Sequence, residues 1–187
     1  AYNWYGGRSF YSSATTGSGR LTFDRPYAEG QGSGEFLPLE QGLIVWAESR
    51  GLDVTYWTDV DLHRHPERLL AHRALVSLGH DEYWSTRMRR GAEAARAHGV
   101  NLAFLGANAV YRHIRLRPSP TGPDRQEVNY KPWSVGDDPA WRTDPSEVTT
   151  DWRRPPLNDP ESRLLGAEYD CNPVHAAGVV VGPSSWL

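Results

Sequence analysis

Two short segments carry side chains that could act together on a polar bond: His80, Asp81 and Glu82 in Gly79-His-Asp-Glu82, and Asn108 in Gly106-Ala-Asn-Ala109. An imidazole moves protons near neutrality, a carboxylate holds a hard cation, and a carboxamide donates to a developing oxyanion. Each segment follows an apolar run, Ala74-Leu-Val-Ser-Leu78 or Val100-Asn-Leu-Ala-Phe-Leu105, that reads as a parallel strand covered on both faces. Loops after adjacent parallel strands converge above the sheet, where open α/β sheets hold their ligands. The opening Tyr2-Asn-Trp-Tyr5-Gly-Gly7 is a third aromatic and polar loop that could close the same crevice.

Each of these residues also has a plain structural reading. Glu82 could cap the helix that follows, with Tyr83 and Trp84 plugging the core, and His80 or Asn108 alone could be a hydrogen-bonded strand end or a turn residue. His63 and His65 would share one face of a strand and could bind zinc with an aspartate, but Pro66 follows at once. A solvated turn in which Asp61 caps a short helix is the reading preferred there. Ser85 near His80 and Asp81 imitates a triad by composition, yet a hydroxyl at that place reads as a helix cap. Cys171 is not on a strand-to-helix elbow, and neither a dinucleotide fingerprint nor a phosphate loop is present.

The surrounding pattern supplies the positioning elements. A short strand over Arg20–Asp24 stops before Pro26. Phe36, Leu39, Leu43, Ile44 and Ala47 recur at helical spacing up to Gly51, and Val54 and Tyr56 alternate as in a strand. A short helix lies around Glu67–Ala71. A longer one is capped by Ser85, turns Met88, Ala92 and Ala95 inward and ends at Gly99. Strand, helix, strand, helix, strand implies a mostly parallel sheet in a three-layer α/β sandwich, with residues 1–116 as its core. From Arg117 to Leu187 prolines interrupt every element. This predicts a loop-rich excursion with at most a hairpin, packed on the domain by Trp133, Trp141 and Trp152.

At 187 residues and 39% hydrophobic, the chain is sized for one α/β domain. Its net charge of -3 argues against nucleic acid or an anionic membrane as the partner. Lys131 is the single lysine among 20 basic side chains, a bias from which no function is drawn. One cysteine forms no internal disulfide, and no apolar run reaches membrane-spanning length, so the expected location is cytoplasmic. The start at Ala1–Gly7 and the end at Ser184–Leu187 read as parts of a longer chain.

Tyr2-Asn-Trp-Tyr-Gly-Gly-Arg-Ser9, Phe23-Asp-Arg-Pro-Tyr27, Thr58-Asp-Val-Asp-Leu62, Gly79-His-Asp-Glu-Tyr-Trp-Ser85 and Asn101-Leu-Ala-Phe-Leu-Gly-Ala-Asn108 resemble a known family, that of the C-terminal domain of the N,N-dimethylformamidase large (beta) polypeptide. The resemblance extends through Val128-Asn-Tyr-Lys131 and Asn158-Asp-Pro-Glu-Ser162. It implies a fold related to the class I glutamine amidotransferases, with the thiol nucleophile replaced by a mononuclear ferric iron held by two tyrosines and a glutamate. The glutamate falls on Glu82 and the second tyrosine on Tyr2, with Tyr5 as a packing aromatic. The first tyrosine is expected upstream of this chain and a further carboxylate beyond Leu187. His80 and Asn108 match polar residues that flank the metal.

The activity implied is hydrolysis of a small amide. Ferric iron would polarise the carbonyl and activate water, Asn108 would donate to the oxyanion, His80 would carry the proton to the leaving amine, and Asp81 would orient the loop. A small companion subunit and homo-oligomers are the implied partners. Two other readings stay open: a non-catalytic binding or assembly module that keeps the pocket, and a thiol enzyme acting through Cys171.

Overall fold

A computed structural model of the chain describes residues 9–11, 19–27 and 32–170. The β-structure falls into two sheets. Strands β2 (Ala74–Gly79) and β4 (Asn101–Gly106) form a parallel pair in register from Ala74↔Asn101 to Gly79↔Gly106. Between them in sequence lie β3 (Tyr83–Ser85) and helix α3 (Thr86–Ala97). Ser85 caps α3 by accepting from the Met88 amide, and Met88, Ala92 and Ala95 are fully buried, as the helical spacing predicts. With Leu62, Leu69, Trp84, Val100, Val110 and Trp152 they make one continuous core.

The second sheet departs from the mostly parallel sandwich. Its order is β1 (Arg20–Thr22), β6 (Gly122–Val128), β5 (Arg112–Ser119), β3, and only the β3–β5 pairing is parallel. The reason is local: Ser119 pairs with Gly122 across a two-residue loop, so β5 and β6 form a hairpin. This hairpin begins inside the expected core and runs across residues 116 and 117.

Other elements differ in detail. The helix expected from Phe36 begins as a wider, π-type turn at Phe36–Glu40, in which the Gln41 amide bonds the Phe36 carbonyl, before α1 (Gln41–Ser49). Its apolar face is only partly covered: Leu43, Ile44 and Ala47 are half-buried, whereas Phe36 and Leu39 are exposed, at 37% and 51%. Val54 and Tyr56 form no strand. They lie beside no paired strand among the described residues, and the Tyr56 hydroxyl donates instead to Glu48 Oε1 at 2.7 Å. Among the described residues the β2–β4 pair is fully covered on one face only. Leu75, Leu102 and Phe104 meet the core, whereas Val76 and Leu105 on the other face are exposed.

In the excursion, Trp152 is a core residue but Trp133 and Trp141 are exposed, so tryptophans are not its main anchors. Buried polar pairs are. Arg115 forms a fork on both oxygens of Asp138, at 2.9 and 2.8 Å, and Asp138 also accepts from the Thr149 amide. Burial pulls the Asp138 carboxyl upward, and these donors overcome it and hold the group low. Arg112 pairs with Asp151 at 2.6 Å, and Arg89 reaches the Asp159 and Pro160 carbonyls. His113, fully buried, bonds the Val148 carbonyl, and burial pushes it down to about 4, which keeps it neutral.

Candidate functional site

β2 and β4 end side by side at Gly79 and Gly106, and both glycines are required there. A Cβ on Gly106 would stand 2.0 Å from the Gly79 carbonyl oxygen, and Gly79 turns the chain out of the strand at φ +69°. The two loops that follow are laced together by backbone bonds. Val110 N donates to the Asp81 carbonyl at 2.9 Å, and Arg112 N donates to that of Glu82 at 2.9 Å. Asn108 and the β-branched Val110 both sit at positive φ, 42° and 53°. Such strain persists only where surroundings enforce it, and it concentrates at ligand sites.

Glu82 does not cap α3, since Ser85 does. Its side chain is 8% exposed and lies between two basic groups on opposite oxygens. Lys131 Nζ stands 3.7 Å from Oε1, and His80 Nδ1 stands 3.9 Å from Oε2. Lys131 is itself buried. It donates to the Tyr83 hydroxyl at 2.6 Å and the Tyr11 hydroxyl at 3.2 Å, and the two hydroxyls are 3.0 Å apart. Its ammonium also lies over both rings, at 4.5 and 4.6 Å. Burial and the Glu82 charge push the Tyr83 phenol far above its ordinary range, so it stays protonated.

A second carboxylate shares this neighbourhood. Burial pushes Glu127 on β6 up to about 7, against the pull of its Asn129 hydrogen bond and of Lys131. Of the two carboxylates, Glu82 is the one within ion-pair distance of Lys131, while Glu127 accepts from Asn129 Nδ2 at 3.1 Å. Arg112, the next cation, is engaged by Asp151, Asn129 and the Tyr130 carbonyl.

Asp81 points inward. Ser77 Oγ donates to its Oδ2, and Trp84 Nε1 donates to its Oδ1 at 2.7 Å, which fixes the loop on the core. Burial raises its carboxyl above the usual range. Asn108 Oδ1 is buried without a hydrogen-bond partner among the described residues. Asn108 lines a cavity of about 430 Å³ with Phe104, Leu165 and Tyr169, whose wall includes neither His80 nor Glu82. The structure thus joins the two loops through their backbones and brings His80 to Glu82. It shows no hydrogen bond from Asn108 to either. Tyr2, Tyr5 and Cys171 lie outside the described residues.

The competing clusters resolve into scaffold. Residues Asp59–Arg64 form helix α2, capped by Thr58 with Asp61 closing the box, so His63 and His65 do not share a strand face. His63 Nδ1 meets Ser85 Oγ at 2.7 Å, and its Nε2 is 4.0 Å from Asp124. The serine's partner is therefore His63, not His80. Its oxygen is buried and already accepts from the Met88 amide, which identifies a cap rather than a nucleophile. Among the described residues no three His, Cys, Asp or Glu side chains cluster as a metal site, a donor set that does not include tyrosine. No helix of these residues is long and apolar enough to cross a membrane.

Lys131, Tyr83, Tyr11 and Glu127 are the site residues that the sequence reading passes over. The signal available for Lys131 is its solitude. In a chain that otherwise uses arginine throughout, the one lysine is buried, with its compact ammonium between two phenols. A search of curated proteins finds no match. The whole chain, residues 1–187, matches the family described as N,N-dimethylformamidase beta subunit-like, C-terminal, and the protein belongs to that family.

Proposed function

We propose that this domain forms part of a metal-dependent hydrolase of a small amide, with Glu82 as a ligand to a ferric ion. The observation that carries the reading is the buried Glu82 carboxylate at the carboxyl end of β2, set between Lys131 and His80 at 3.7 and 3.9 Å. The donor chemistry fits. A carboxylate is a hard oxygen donor, and with the Tyr2 phenolate it suits a hard, highly charged cation better than a softer one. The metal when bound would supply Lewis acidity for an amide carbonyl.

The chain's own groups take the remaining roles. His80, half exposed beside Glu82, is placed to carry a proton between a leaving amine and solvent. Asn108, on the loop after β4 at positive φ, is proposed to hold the substrate oxygen through its Nδ2 amide. Asp81 is a positioning residue, because Ser77 and Trp84 already occupy its oxygens. The β2–α3–β4 unit is proposed to be the part of a three-layer, glutamine amidotransferase-like sheet that these residues contribute. A companion subunit, homo-oligomerisation and a cytoplasmic location belong to the same proposal, in keeping with a beta subunit-like family.

The test is metal analysis of the full-length protein together with amine release from simple formamides and acetamides. The expected result is iron in the wild type and, for His80→Ala, retained iron with amine release about 100-fold slower or worse. An iron-free wild type that is folded and inert would leave the non-catalytic module as the better reading.

A further inference from the structure

Glu82 is asymmetric in a way that its role as a ligand does not require. One carboxylate oxygen faces Lys131 and the other faces His80, at 3.7 and 3.9 Å. Lys131 is not simply a neighbouring surface charge. Its side chain is 5% exposed, and two phenol oxygens and two aromatic faces fix the ammonium from several directions. It comes from the segment directly after Asn129 and Tyr130. Both of those residues are gripped by the buried Arg112, whose own backbone amide bonds the Glu82 carbonyl. Main chain and side chain of Glu82 are thus located by one connected unit, Arg112 on the first and Lys131 on the second.

We propose that Lys131 is a positioning residue for Glu82. Held by the Tyr83 and Tyr11 hydroxyls, its ammonium engages Oε1 and leaves Oε2, on the His80 side, as the oxygen offered to a cation. This rests on the functional reading above and adds to it an assignment of the two oxygens. A carboxylate freed from Lys131 can turn either or both oxygens to a metal, and the positions left for water and substrate change accordingly. Tyr83 matters because its hydroxyl makes the shortest contact to the ammonium; Tyr11 is the weaker support.

The experiment is ferric titration of full-length wild type, Lys131→Met and Tyr83→Phe, followed by visible absorption and electron paramagnetic resonance, with kcat and KM for amide hydrolysis. Lys131→Met should keep the iron stoichiometry of the wild type, because a competing positive charge is lost. Its charge-transfer band and resonance signal should be displaced, and kcat should fall at least about tenfold with KM changed less. Tyr83→Phe, which removes one hydroxyl and keeps the ring, should move both signals in the same direction by a smaller amount. It also carries the test if Lys131→Met does not fold. Spectra and kcat within about twofold of wild type in the folded variants would overturn the proposal. A wild type that takes up no iron would sink the functional reading and this inference together, whereas an iron-binding wild type with indistinguishable variants would sink the inference alone.

Discussion

Replacing Asp151 with Asn removes the negative partner of a cation that has no route to solvent. Arg112 and Asp151 are each 3% exposed and 2.6 Å apart, and Arg112 Nε has no partner among the described residues. Losing one member of such a pair costs about 3–5 kcal/mol, because the survivor keeps its desolvation penalty without its attraction. The Tyr130 carbonyl and Asn129 Oδ1 still receive the guanidinium, so the lower end, about 3 kcal/mol, is expected. In a domain of this size that loss lowers the melting temperature by about 6–12 °C. The assay is denaturant unfolding of Asp151→Asn, Arg112→Met and the double variant. The double variant should be more stable than Asp151→Asn by at least about 1 kcal/mol, since removing both charges removes the orphan. An Asp151→Asn protein within about 1 kcal/mol of wild type, with additive effects in the cycle, would show that the pair is not held out of water as described.

Gly106→Ala sets a methyl group 2.0 Å from the Gly79 carbonyl oxygen, a backbone atom that moves only if β2 and β4 part. The expected loss is about 2 kcal/mol or more, read as a lowered unfolding midpoint, and an unchanged midpoint would contradict the register. Glu127 tests the electrostatics of the metal-free protein. Its folded-state value, raised from 4.5 to about 7, means that its contribution to stability is complete below about 4.5 and is lost as pH rises through 7. Glu127→Gln should therefore gain on wild type by up to about 3 kcal/mol between pH 4.5 and 8. Parallel stability profiles for the two proteins would show that the carboxylate is not held in its acid form.

Much of the frame that carries the site was legible. Ser85 and Gly99 bracket α3, Met88, Ala92 and Ala95 face inward, and the two apolar runs pair as β2 and β4. Periodicity encodes local choices of this kind well, because each depends on a few neighbours in sequence. What the sequence hid was longer in range. The alternation at Val54 and Tyr56 promises a strand, yet a strand exists only with a partner, and none of the described residues supplies one. The apolar face of α1 predicted burial, but packing depends on what arrives from elsewhere. The excursion looked like loops tied down by tryptophan, whereas Arg112–Asp151 and Arg115–Asp138 hold it, and pairs 39 and 23 residues apart leave no periodic trace. The site was half legible for the same reason. His80, Asp81 and Glu82 are consecutive and announce themselves. Lys131 reaches Glu82 from 49 positions away, and Tyr83 looked like core filler until its hydroxyl was found on that ammonium.

The proposed chemistry stands or falls with the Glu82 carboxylate as an oxygen donor to a hard cation at the carboxyl end of β2. The direct measurement is iron content and visible absorption of full-length wild type and Glu82→Gln prepared side by side, with near-ultraviolet circular dichroism as a check on folding. About one iron per chain and a phenolate charge-transfer band are expected in the wild type, both lost in a folded Glu82→Gln protein. A folded Glu82→Gln protein with undiminished iron and colour would remove Glu82 from the metal.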